Sequence, residues 1–249
     1  VAAERGHDVT LFDQAGEIGG QFNMAKVVPG KEEFHNTIRY FSKRIENTGV
    51  TLKLNTRVAV ADLQAQGFDE IVIATGVLPR TPGIPGIDHP KVLSYVDVLR
   101  GKAQVGEKVA VIGAGGIGFD VSEFLAEHPR DGEQPLPEWM KEWGVDMDSD
   151  APGGLVEPEV EKPARQITLL QRKPTPLGKD LGKTSGWVHR ATLKSRNVDM
   201  LKGCSYEKID DAGLHIKIGE ESRVLDVDHV VICAGQESLR ELYQEEAKN

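Results

Sequence analysis

The chain has 249 residues, enough for one large core or two ordinary ones, because domains commonly hold about 100–150 residues. Its formal charge of −9, with no stretch dominated by Lys and Arg, argues against nucleic acid or an anionic membrane surface as a partner. Only Cys204 and Cys233 are present, which argues against a disulfide framework or a zinc or iron–sulfur site, and neither a signal peptide nor an apolar run of membrane-spanning length occurs, so a reducing cytoplasm is the default location.

In chain order, Val1–His7 reads as the last turns of a helix closed by Gly6. A strand follows over Asp8–Asp13 and ends in an acidic residue. The second strand of a dinucleotide-binding unit ends this way, with a carboxylate that accepts hydrogen bonds from ribose hydroxyls. The first strand, glycine turn and most of the first helix of that unit are therefore expected upstream of Val1. Gly19-Gly20-Gln21 could turn backbone N–H groups toward a phosphate, and a plain turn explains the pair equally well. Lys31–Thr48 is predicted as an amphipathic helix that buries Phe34, Ile38, Phe41 and Ile45 and stops at Gly49. Val50–Leu54 and Thr56–Val60 read as strands, and Asp69–Ala74 as a strand returning into the sheet. Pro79, Pro82, Pro85 and Pro90 then mark an irregular crossover and a domain boundary.

The next unit opens with a strand over Lys108–Ile112 that runs into Gly113-Ala114-Gly115-Gly116-Ile117-Gly118 and a helix through Asp120–Leu125. Roughly 50 residues separate Gly118 from the end of the next strand, Gln166–Gln171, where a standard unit has about 20. The excess, 129–164, reads as a surface insertion with one short helix stapled down by Trp139 and Trp143, a binding role for the indoles being the alternative. Trp187–Ser195 reads as a helix. Asp199–Leu201, Tyr206–Ile209, Leu214–Ile218 and Arg223–Val227 read as short strands, the last two paired, before Val230–Cys233 and a charged helical tail from Leu239. The organisation expected is a partial dinucleotide domain over 1–104, a second over 105–236, and a segment 237–249 returning toward the first.

One sentence is written twice. Asp69-Glu-Ile-Val-Ile-Ala-Thr-Gly76 recurs as Asp228-His-Val-Val-Ile-Cys-Ala-Gly235, yet a single glycine-rich loop accompanies the pair. Each copy reads as a buried strand ending in small residues (Ala74, Thr75 and Gly76; Ala234 and Gly235) that let a backbone pass close to a ligand. In the loop, Gly113 permits the tight turn, Gly115 lets the backbone approach a pyrophosphate, and Gly118 allows helix and sheet to pack closely. A plain strand-to-helix turn is the alternative.

Cofactor choice is decided at the end of the following strand. Where an NAD-binding unit places Asp or Glu, this chain has Gln171-Arg172-Lys173. A carboxylate would repel a 2′-phosphate, whereas a guanidinium and an ammonium can hold one, so NADPH is favoured; a solvated loop end is the other reading. Asp13, at the matching place in the first unit, suits an unphosphorylated ribose.

Gly19-Gly-Gln-Phe-Asn23, Ile71–Gly76, His89–Ser94, Gly113–Asp120, Leu169-Leu-Gln-Arg-Lys173, Leu181-Gly-Lys-Thr-Ser-Gly-Trp187 and Val231–Gln236 resemble the C-terminal part of bacterial NADPH-dependent 2,4-dienoyl-CoA reductases, old yellow enzyme-type reductases. The resemblance implies an α/β fold of two Rossmann-like, glutathione-reductase-type domains, the first incomplete. It also implies that NADPH reduces FAD, and that electrons pass through a 4Fe-4S cluster to FMN and on to a 2,4-dienoyl-CoA, the last parts lying in an N-terminal TIM barrel outside this chain. FAD would meet Asp13, Gly19, Gly20, Gln21, Ala74, Thr75 and Gly76. NADPH would meet Gly113–Gly118, Arg172, Lys173, Ala234 and Gly235. No catalytic acid, base or nucleophile is evident, as suits hydride transfer that depends on stacking geometry. Lys183, His189 and Arg190 could flank NADPH or serve the start of a helix. A related amine dehydrogenase or enoate reductase, or a structural adenine-nucleotide module without hydride transfer, are the competing readings. Thioredoxin reductase is disfavoured because no Cys-x-x-Cys occurs.

Overall fold

The computed structural model describes residues 1–130 and 134–246, so positions 131–133 of the expected insertion and 247–249 of the tail lie outside the described residues. The chain divides into two compact units, one of 1–27, 31–79 and 236–249, the other of 28–30 and 80–235. Both are mixed α/β.

In the first unit a single 3-10 turn, Ala3–Arg5, ends at Gly6 with φ 91°. β1 (Thr10–Phe12), α1 (Phe22–Ala25), α2 (Phe34–Asn47), β2 (Thr51–Lys53), α3 (Val60–Ala65) and β3 (Val77–Pro79) follow. β2 pairs with β1 in parallel, Thr51 opposite Thr10, and β3 pairs antiparallel with Gln236–Ser238, ahead of a helix at Glu241–Glu246.

Three expectations are overturned here. Thr56–Val60 is not a strand: the carboxylate of Asp62 accepts the Ala59 N–H at 3.0 Å and starts α3 at Val60, the reciprocal half of a helix cap. The apolar face of α2 is not core. None of its 14 residues is buried and Phe41 is 54% exposed. Phe34 meets Phe22 of α1 at 4.8 Å between ring centroids, but a sheet of two three-residue strands offers too little apolar surface to cover a helix of this length. Finally, Asp69–Ala74 forms no strand, and Val72 is 89% exposed. Among the described residues it has no neighbouring strand to complete a ladder, and backbone groups without a ladder stay in water.

The second unit runs β4 (Val92–Ser94), α4 (Tyr95–Leu99), β5 (Lys108–Ile112), α5 (Gly116–Ala126), α6 (Leu136–Glu142), β6 (Gln166–Leu170), α7 (Gly186–Ser195), β7 (Asp199–Leu201), β8 (Cys204–Asp210), β9 (Gly213–Ile218), β10 (Glu221–Leu225) and β11 (His229–Ile232). A five-stranded parallel sheet has the order β4-β11-β5-β6-β7, and β8-β9-β10 make an antiparallel meander. Val109, Ala110, Val111, Leu169, Leu170, Val230 and Val231 are wholly buried, as the continuous apolar runs of a parallel sheet require. Ile209, Leu214 and Ile216 of the meander pack into one cluster with Ala110, Ile112, Leu170 and Ile232.

The units divide at Pro79/Arg80, ahead of 104/105. The Pro-rich crossover is fastened to the second unit: Arg80 donates its N–H to Gly235 O (3.0 Å), Ile209 donates to Pro85 O (2.8 Å), and β4 pairs with β11. Neither β4 nor α4 is marked by the sequence pattern. In the insertion, Trp139 and Trp143 lie 6.1 Å apart with Trp139 half exposed, but the buried tie is another residue. Arg196, 2% exposed at the end of α7, reaches Glu142 (2.7 Å), Glu127 (3.4 Å) and the Glu161 carbonyl (3.2 Å).

Candidate dinucleotide sites

From β5 the chain moves outward to β6 and β7 on one side and returns to β11 on the other, so a topological switch point lies between β5 and β11. Ligands of open parallel sheets bind in the crevice at the carboxyl ends of such strands. Gly113 stands there with φ 111°, its N–H given to Leu170 O at 2.9 Å. A side chain at Gly113 would run into the Cys233 carbonyl, and one at Gly118 into the Gly113 carbonyl. Both glycines are thus required by packing. Gly115 and Gly116 differ: a Cβ at either would meet nothing within 4 Å, and both are exposed. They form the open lip of the loop, with Ala114 and Ile117 half-buried behind it. The carbonyl of Gly115 accepts the Phe119 N–H at 3.1 Å, and the N–H groups of the first turn before Phe119 have no helical carbonyl to bond. A bare lip under the positive end of an 11-residue helix fits a pyrophosphate.

β11 delivers Ala234 and Gly235 to the same edge, the Cys233 N–H bonding to Ile112 O at 2.8 Å. Arg80 donates from Nε to the Ala234 carbonyl at 2.9 Å and from Nη2 to the same oxygen, which holds the strand end in place. Both cysteines are free and buried. Burial pushes the Cys233 thiol well up, with Asp120 adding to the shift, and burial also raises Cys204. Both stay protonated at neutral pH and are poorly suited to thiol exchange.

β6 brings Gln171, Arg172 and Lys173 to the carboxyl edge beside the loop, because β5 and β6 pair in parallel register with Ile112 opposite Leu170. Gln171 donates its backbone N–H to Leu201 O at 2.9 Å and accepts from the Cys204 N–H at 3.0 Å. Arg172 and Lys173 are exposed, and Lys173 Nζ lies 3.3 Å from the Asp180 carboxylate. The loop that follows packs Gly178, φ 70°, against Phe119 of α5. Arg190 donates to the Gly178 carbonyl at 3.0 Å, and His189 Nδ1 pairs with the buried Glu123 carboxylate of α5 at 2.7 Å. His189 and Arg190 therefore tie α7 and its loop to α5, which favours the helix-start reading for both. The insertion leaves the sheet at the other end: Ala164 donates to Ala126 O and Gln166 to Glu107 O, both at 2.8 Å.

In the first unit, Asp13 follows β1 and its carboxylate accepts the Ala15 N–H at 2.9 Å. Gly19, φ 115°, and Gly20 lead with Gln21 into α1, the Gly19 carbonyl taking the Phe22 N–H at 2.9 Å. A Cβ at Gly19 would meet Asn23 at 2.9 Å, whereas one at Gly20 would meet nothing within 4 Å. Gln21 Oε1 accepts from Gln236 Nε2 at 3.4 Å. Thr75 Oγ1 donates to Leu239 O at 2.6 Å, the Gly76 carbonyl accepts the Leu239 N–H at 3.0 Å, and Ala74 is exposed beside them. The bonds of Asp13 run to Ala15, Lys53 and Thr56, so these hydrogen bonds do not gather it with the other candidates of the unit. Sequence reasoning misses Arg80 and Gln236, since a lone Arg among prolines and a Gln after a glycine carry no pattern of their own.

Comparison with known proteins bears on the family and the fold. The sequence matches the family described as Pyridine nucleotide-disulphide oxidoreductase over residues 1–248. It is similar to a metal reductase of Desulforamulus reducens (29% identical, covering 98% of this chain and 36% of that protein) and to a cinnamate reductase of Clostridium sporogenes (28%, 98% and 32%). The solved complex of 2-naphthoyl-CoA reductase with 2-naphthoyl-CoA superposes with a TM-score of 0.78 at 27% identity over 98% of this chain and 32% of that one. The chain thus spans about a third of the length of these relatives. It belongs to the pyridine nucleotide-disulphide oxidoreductase family of flavin-dependent enzymes, whose fold implies binding of FAD and NAD(P)H.

Proposed function

We propose that this chain is the electron-input part of a larger flavin-dependent reductase, in which the unit 80–235 holds NADPH and the other unit holds FAD. When bound, the two cofactors supply hydride transfer from nicotinamide to flavin. The chain's own residues bind and orient. Gly115 and Gly116 leave room for the pyrophosphate, the start of α5 offers it N–H groups, and Arg172 with Lys173 meets the 2′-phosphate. Asp13, Gly19, Gly20, Gln21, Ala74, Thr75 and Gly76 line the FAD side. The observation that carries the reading is the pairing of an open glycine lip with two exposed cations at the end of the adjacent strand, where residues 171–173 include no Asp or Glu and the Asp180 carboxylate of the following loop lies against Lys173.

The electrons leave for an unsaturated acyl-CoA, with 2,4-dienoyl-CoA the specific reading. The name of 2-naphthoyl-CoA reductase supports an acyl-CoA, and that of cinnamate reductase supports a conjugated unsaturated acid without the thioester. FMN, a 4Fe-4S cluster and a TIM barrel in the same polypeptide complete the route, in the cytoplasm. Arg172→Ala tests the cofactor side. Losing one charge-assisted contact is expected to weaken NADPH by about one to two decades and to leave NADH nearly unchanged in a fluorescence titration. Equal weakening of both cofactors would contradict the assignment.

A further inference from the structure

Gln171 stands where a dinucleotide unit that prefers NAD carries its ribose-binding acid, and its side chain faces its own loop. Nε2 lies 2.9 Å from the Lys173 carbonyl, 2.8 Å from the Thr175 carbonyl and 3.3 Å from Thr175 Oγ1. An amide nitrogen has two protons, and here both have carbonyl acceptors. The loop between contains Pro174, which has no N–H of its own to close the turn. The backbone of Gln171 is held by Leu201 and Cys204, and the Lys173 carbonyl also takes the Gly203 N–H at 3.1 Å. Arg172 is thus fixed on both sides, by residues whose bonds pass through Gln171 or the ends of β7 and β8.

We infer that Gln171 is a positioning residue for 2′-phosphate selection: its amide clamps the 171–175 loop so that Arg172 and Lys173 are presented on ordered backbone. The inference rests on the NADPH reading above. Ordering the loop before binding removes a cost that long cationic side chains on a loose loop would otherwise meet when the ligand arrives. Glu at this position cannot do the same. A carboxylate only accepts hydrogen bonds, so it would confront the carbonyls of Lys173 and Thr175 with no proton between, and it would repel the phosphate directly.

The test separates these effects with small probes, titrated calorimetrically into the chain: 2′,5′-ADP, which carries the 2′-phosphate, and 5′-AMP, which does not. Gln171→Met keeps length and neutrality but removes the donor. It is expected to weaken 2′,5′-ADP about tenfold and 5′-AMP by less than about twofold, while Gln171→Glu weakens 2′,5′-ADP further. An unchanged ratio of the two affinities in Gln171→Met, with Arg172→Ala lowering that ratio, would overturn the role of Gln171 and leave the NADPH reading standing. Equal losses on both probes would also overturn it, as general damage to the fold. A wild-type chain that does not prefer 2′,5′-ADP would remove the NADPH reading and this inference together. Should Gln171→Met fail to fold, Gln171→Asn is read in the same way, its amide being one methylene short of Lys173 and Thr175.

Discussion

Asp69–Gly76 and Asp228–Gly235 carry nearly the same apolar sentence and have different fates. In the second copy, His229–Ile232 becomes β11, flanked on both sides by β4 and β5, with Val230 and Val231 wholly buried. Its ends are sewn down as well. Asp228 accepts the Lys108 N–H at 2.8 Å, His229 Nδ1 accepts the Gly106 N–H at 3.0 Å, and Arg80 holds the Ala234 carbonyl. The first copy has no flanking strand among the described residues, and only its last residues, Thr75 and Gly76, are bonded, to Leu239. An apolar run therefore records the capacity to be a central strand, while partners on both sides decide whether the capacity is used.

Substitution at the glycines of the loop beside the second copy should have the largest effect. Gly118→Ala places a methyl group against the Gly113 carbonyl, and chemical unfolding of the chain should show a loss of about 3 kcal/mol. Gly115→Ala points into open space, so stability should stay within about 0.5 kcal/mol while NADP⁺ binding weakens. If Gly118→Ala were neutral, the close packing of α5 on the glycine loop would be wrong.

A smaller effect sharpens the contrast between the copies. Val231 and Val72 occupy the same place in the repeat. Val231→Ala removes two methyl groups from a fully buried site and should cost about 2 kcal/mol, whereas Val72→Ala should cost less than about 0.5 kcal/mol. Amide exchange should follow the same order, slow at Val230–Ile232 and fast at Ile71–Ile73. Equal costs at the two valines would mean that both copies are buried in solution.

The smallest effect lies at the exposed cap of β11. The Lys108 N–H holds the Asp228 carboxyl below the usual carboxylate range against the opposing effect of burial, with the Glu107 N–H adding to the lowering. A carboxyl whose value is depressed in the folded state stabilises above its unfolded value of about 4, and that stabilisation disappears as pH falls through the lower folded value. Asp228→Asn should therefore be less stable than the wild type at neutral pH, and the gap should close in strong acid. A gap that widened on acidification would reverse the sign and refute the cap.

The fold of the second unit is largely legible in the sequence, because its evidence is redundant: Lys108–Ile112, Gln166–Leu170 and His229–Ile232 are apolar on both faces, and Gly113–Gly118 punctuates the first of them. Legibility fails where a signal needs a partner. Phe34, Ile38, Phe41 and Ile45 share one helical face, but periodicity does not say how much sheet is there to cover it. Thr56–Val60 has β-branched residues, and its strand reading is defeated by Asp62 two residues beyond. Within the candidate site, Gly113, Gly118, Arg172 and Lys173 can be picked out from residue type and spacing. Arg80 and the side-chain bonds of Gln171 depend on contacts across 154 residues or within a five-residue turn, and neither leaves a pattern.

Selection of a 2′-phosphorylated dinucleotide in the crevice at β5, β6 and β11 can be followed on the backbone amides of the chain by NMR during separate titrations with NADP⁺ and NAD⁺. NADP⁺ is expected to shift Gly115, Gly116, Ile117, Arg172, Lys173 and Gly235 together along one saturating curve, whereas NAD⁺ moves the glycine loop only at concentrations at least about tenfold higher and leaves Arg172 and Lys173 nearly unmoved. Saturation of the loop by both nucleotides at the same concentration, with Arg172 and Lys173 silent throughout, would contradict it.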